Sequence, residues 1–192
     1  MTVARHATRT AAFAAAYLLT FWAGGFLFLS ALPVAALWLL AQTPSGRRRF
    51  DVIALATTAA VAATLNGAGP LLSLVLAATG TLPALLFAVL TERWAPGWWQ
   101  GHGNRFRSLH NRLSRLAAAA ALTAATSGLL QAVLIQDTFR YATLLTTFRD
   151  AAAILLLTLA ARTMRRSPAS PGRPASPRTP GSRGGGHLTV VR

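Results

Sequence analysis

Two stretches of this chain carry no charge at all: Leu71–Leu90 (LLSLVLAATGTLPALLFAVL) and Leu116–Ile135 (LAAAAALTAATSGLLQAVLI). Each has about 20 residues, the length at which an α-helix crosses a hydrocarbon core of roughly 30 Å. Segments of that kind restrict the fold to a few solutions, and composition narrows them further. Hydrophobic residues make up 53% of the chain and charged residues only 12%, about half the charged share of a soluble domain. The chain reads as an all-α, polytopic transmembrane helix bundle.

Further spans follow from apolar length and punctuation. Residues 11–41 form an apolar block that would be about 46 Å long as one helix, well beyond the membrane thickness. Two short helices fit it better, divided at Ser30-Ala-Leu-Pro33, with Ser30 as N-cap and Pro33 in the first turn. Val52–Leu65 is apolar but short, which sets Phe50 and Asp51 near an interface. Asn66-Gly-Ala-Gly-Pro70 is a turn, and Gly80 and Pro83 predict a kink in the span after it. A last span ends near Ala161, giving six in all. This organisation divides the chain into an N-terminal segment 1–10, a bundle 11–164 and a tail 165–192. The tail is rich in Arg, Pro, Ser and Gly, a composition that predicts disorder.

The formal charge is +15, and all 19 basic residues are arginines. Their placement argues against a nucleic-acid ligand, because they cluster between apolar blocks, as membrane topology requires. With six spans and the N-terminus inside, the cytoplasmic segments hold every arginine except Arg140 and Arg149. Both termini are then cytoplasmic in the inner membrane of a bacterium. Arg5 and Arg9 precede an apolar region too long for a cleavable signal, so that region is expected to be retained. Trp94, Trp98 and Trp99 are expected at a headgroup interface.

No catalytic or cofactor-binding signature occurs. GxxxxGK[ST], HExxH and GxSxG are all missing from the sequence, as is cysteine. The spacing of His102 and His110 relative to Glu92 fits no standard metal site. The expectation is therefore a protein without enzymatic activity, metal or cofactor. The polar feature that stands out is Arg149-Asp150, at the head of the last apolar run. Thr147 and Asp150 have capping-box spacing, which would start a helix at Thr147. That start leaves only Ala151–Ala161 as apolar chain, too little to span. A helix beginning near Tyr141 would instead draw Arg149 and Asp150 below the surface, with Gln131 and Asn66 as polar partners. An ionisable residue at that depth is a candidate ligand site.

The order of segments resembles MASE1, a membrane-associated sensor domain found N-terminal to bacterial histidine kinases and diguanylate cyclases. The resemblance runs roughly over Leu29–Ala161 and is carried by ALPVAALWLL, ATLNGAGPLLSL, ATGTLPALLFAVLTERW and TTFRDAAAILLLTLAAR. Asn66, Thr81, Leu82, Ala84 and Arg149-Asp150 fall on matching positions, whereas Gly80 and Pro83 stand where the family often has Asn and Glu. The resemblance implies a sensory module in the lipid bilayer. With no output domain expected in this chain, it would be a stand-alone or remnant module that signals through a membrane or cytoplasmic partner or does not signal at all; a homo-oligomer is a further partner expectation. Six spans in a chain this short also suit the substrate-binding subunit of an energy-coupling-factor transporter, or a structural membrane protein with no ligand.

Overall fold

The computed structural model describes residues 3–27, 30–42, 48–96, 98–99, 109–134 and 141–165. They form six α-helices: α1 (Val3–Leu27), α2 (Leu32–Gln42), α3 (Arg48–Leu65), α4 (Pro70–Trp94), α5 (Leu109–Leu134) and α6 (Tyr141–Arg165). The proposed disordered tail lies outside the described residues, apart from Arg165.

Local chemistry explains the helix boundaries. The Ser30 Oγ accepts the Leu32 N–H at 3.1 Å and so caps α2, with Pro33 in its first turn. The turn between α3 and α4 places Gly67 at φ 86°, a left-handed conformation that costs glycine little. Pro70 then opens α4 at a position where its missing N–H is no loss. α4 continues as helix through Gly80 and Pro83 to Trp94.

Contacts between helix ends fix their directions. His6 on α1 meets Asp51 on α3, and Arg48 on α3 meets Glu92 on α4. Arg115 on α5 donates to the Trp94 carbonyl of α4, and Arg162 on α6 lies over the Trp98 ring. The N-terminal turns of α1, α3 and α5 therefore share one end of the bundle with the C-terminal turns of α4 and α6. Arginines come together at that basic end. Helix direction alternates along the chain, and α2 runs back between its longer neighbours.

α2 is the centre of the packing. It touches α1, α3, α4 and α6, and Ala35, Ala36, Trp38, Leu39 and Leu40 are all fully buried. A helix apolar on every side belongs in an interior. Phe13 stacks on Trp38 with ring centroids 6.0 Å apart, tying α1 to this centre. Elsewhere the core is built from alanines, including Ala59, Ala62, Ala84, Ala88, Ala119 and Ala120, which allow helix backbones to approach closely.

The exterior is apolar and the interior holds polar groups, the reverse of a water-soluble protein. Leu71, Phe148 and Met164 face outward, while Thr123, Ser127 and Thr158 are buried. The Thr123 and Thr158 hydroxyls donate to the carbonyls of Ala119 and Ile154 one turn earlier, so neither is left unsatisfied. This is the pattern of a membrane protein.

The span count differs from the sequence reading. Among the described residues, three helices, not six, are long and apolar enough to cross a membrane: Pro70–Trp94, His110–Leu134 and Leu144–Met164. α2 is about 16 Å long, too short to cross alone. α3 carries Arg48, Arg49 and Asp51 in its first turn, and α1 carries Arg5 and Arg9 near its start. α1 also begins at Val3 and has 25 residues, so it is not short, and residues 3–10 belong to the bundle rather than to a separate segment.

Candidate functional site

α6 begins at Tyr141, six residues ahead of Thr147. Thr147 is therefore inside the helix and is not its N-cap. YATLL continues the helical run without a breaker, and the added turns give the span its length. Arg149 and Asp150 consequently lie more than two turns into α6, and Asp150 is buried at 8% exposure.

Their partners are not the expected ones. Adjacent residues on a helix do not normally face each other. Here the long Arg149 side chain folds back, placing Nη2 at 3.1 Å and Nε at 3.3 Å from Asp150 Oδ1. Ser30, just ahead of α2, lies close to the same carboxylate. The Ser30 Oγ itself accepts the Leu32 N–H. The central helix packs directly against α6.

Ser30 also borders an open cleft of about 280 Å³ between α1, α2, α4 and α5. Tyr17, Thr79, Gly80, Ser127 and Gln131 line it with Ser30. Gln131 contributes an amide whose Nε2 reaches the Ser127 Oγ at 3.5 Å. Gly80 keeps the wall low on one side, since a Cβ there would meet the Tyr17 hydroxyl at 3.3 Å. Of the residues singled out from sequence, Arg149 and Asp150 pair with each other, while Gln131 lines the cleft that Ser30 borders. Asn66 is elsewhere. It is exposed and donates to the Ala62 carbonyl of its own helix, and α3 does not touch α6.

The basic end holds a second group of polar residues. His6 Nε2 lies 3.3 Å from Asp51 Oδ1, with Asp51 only 1% exposed. The Thr10 hydroxyl bonds the same carboxylate. Sequence reasoning set Asp51 near an interface and gave His6 no part. The signal was present in the spacing: His6, Thr10, Phe13 and Tyr17 recur every three or four residues, so they share one face of α1. That face meets Asp51, Trp38 and the cleft in turn.

The tryptophans also differ from expectation. Trp98 and Trp99 are buried in protein, and Trp94 is half-buried at the end of α4. The Arg162 guanidinium carbon sits 4.2 Å from the centroid of the Trp98 ring, a cation–π contact that covers the indole. Of the two histidines weighed as ligands, His110 is exposed on α5 and His102 lies outside the described residues. No family model, curated protein or solved structure matches this chain.

Proposed function

We propose that this protein is a multi-pass inner-membrane module of the MASE1-like sensory kind. In this reading it binds a small polar ligand in the cleft beside Ser30 and acts through a partner protein rather than by catalysis. The position of buried Asp150, paired with Arg149 near the cleft-lining Ser30, carries the proposal. A buried carboxylate inside a span is costly, and this one is paired with Arg149 close to the residue that caps the central helix and lines the cleft. A ligand that draws on the Ser30 hydroxyl would therefore disturb both the start of α2 and its packing against α6. α2 touches four other helices, so a shift there would spread through the bundle.

Orientation follows from charge. In this reading the basic end and both chain termini face the cytoplasm, as arginine-rich flanks favour, with the cleft in the opposite half. The alternating helix directions suit a multi-pass arrangement in which the short α2 is enclosed by its neighbours.

A thermal-shift screen of small polar metabolites on the purified protein tests the reading. A true ligand should raise the melting temperature of the wild type and lose most of that effect in Ser30→Ala and Asp150→Asn. Equal stabilisation of all three proteins would remove the cleft as the site. A broad screen with no stabilising compound would favour a structural role.

A further inference from the structure

A separate cavity opens at the basic end, between the C-terminus of α4 and the start of α5. Its volume is about 230 Å³, and Trp94, Pro96, Trp98, Asn111, Arg112 and Arg115 line it. We infer that this cavity binds a phosphate group, carried either by an anionic lipid headgroup or by a soluble phosphate compound.

The first argument concerns charge balance. Three carboxylates occur among the described residues, and each is engaged elsewhere: Asp51 with His6, Glu92 with Arg48 and Asp150 with Arg149. Arg112 and Arg115 thus face one cavity with no described carboxylate to neutralise them. Their spacing of three puts both guanidinium groups on one side of α5. Cations held together in a concave site raise the local potential and attract a multivalent anion.

The second argument concerns geometry. Arg115 is anchored, because its Nη1 donates to the Trp94 carbonyl at 3.0 Å. That bond occupies one of its five N–H donors and leaves others for a ligand. Arg112 makes no hydrogen bond to a described residue and is only half-buried. Arginine forks match the oxygen spacing of a phosphate. Asn111 adds a neutral donor at the rim. Trp98 supplies a rigid wall, held from behind by Arg162. The site combines one anchored and one free-reaching guanidinium, an amide and an indole at the basic end of the bundle, the setting in which basic pockets bind lipid phosphates. It lies at the other end of the bundle from the Ser30 cleft and does not rest on the sensory reading.

Native mass spectrometry of the full chain in neutral detergent tests the inference. Phosphatidylglycerol, phosphatidylcholine and inorganic phosphate are each titrated. Phosphatidylglycerol should be retained in a one-to-one complex. Inorganic phosphate that displaces it at millimolar concentration would identify a phosphate site open to soluble ligands, and failure to displace it would identify the lipid as the occupant. Arg112→Gln combined with Arg115→Gln should weaken retention by about tenfold or more. Arg49→Gln combined with Arg93→Gln removes the same charge from exposed positions at the same end, and it should weaken retention less than about twofold. Equal losses in the two pairs would overturn the inference in favour of diffuse attraction. So would equal retention of phosphatidylcholine, or no retention of any probe. If the first pair fails to fold, Arg112→Gln alone gives the reading, since Arg112 bonds no described residue.

Discussion

His6 Nε2 on α1 lies 3.3 Å from Asp51 Oδ1 on α3, inside a contact where the carboxylate is almost fully buried. It joins the first helix to the third at the basic end. Removing one partner leaves the other in a poorly solvated place, which costs about 3 kcal/mol for well-buried pairs. His6→Ala should therefore destabilise the protein clearly more than Arg5→Ala, whose side chain is exposed. A double-mutant cycle with Asp51→Asn should show a coupling of about 1 kcal/mol or more. Strictly additive losses would show that the two groups do not interact.

The Arg149–Asp150–Ser30 group makes an ordering prediction. Asp150 is buried, whereas the Arg149 side chain is 41% exposed, so solvent screens much of its share. Asp150→Asn should lower thermal stability in detergent more than Arg149→Ala does, and Ser30→Ala should cost about 1 kcal/mol through the lost cap of α2. The reverse order for the first two would mean that the guanidinium, not the carboxylate, is the group the fold depends on.

Trp38 and Trp22 separate interior from exterior. Trp38 has no exposure and stacks on Phe13, whereas Trp22 is 72% exposed on α1. Trp38→Ala leaves a cavity at the centre of the packing and should cost about 3–5 kcal/mol. Trp22→Ala should lower stability far less. Chemical denaturation in mixed micelles compares them, and similar losses would contradict α2 as the packing centre.

Membrane orientation is open to reporter fusions. A cytoplasmic reporter fused after Arg166 should be active, and the same reporter inserted at Gln136 should be silent, because the two positions flank the last span. Matching signals from both would remove the arrangement drawn from the arginines.

Boundaries written in local chemistry were legible in the sequence. The Ser30 cap, the Asn66-Gly67 turn and the Pro70 helix start each depend on a few neighbouring residues. The start of α6 was misplaced if read from the Thr147–Asp150 spacing alone. A capping motif stabilises a helix start only where the chain before it is not already helical, and six residues of α6 precede Thr147.

Apolar run length by itself determined that the chain is helical and built for a bilayer, because an uncharged run of about 20 residues has few other folds. Arginine placement likewise determined which helix ends belong together, since like topology needs like flanks. Only the tertiary structure decided which polar groups come close together. Ser30 and Asp150 are 120 positions apart in the chain, and His6 and Asp51 are 45 apart. Neither distance leaves a periodic trace that names the partner. Burial of Trp98 beneath Arg162 was equally out of reach, because a tryptophan at a helix end suits a lipid interface and a protein interior alike. Which of the two it meets depends on where another helix happens to pass.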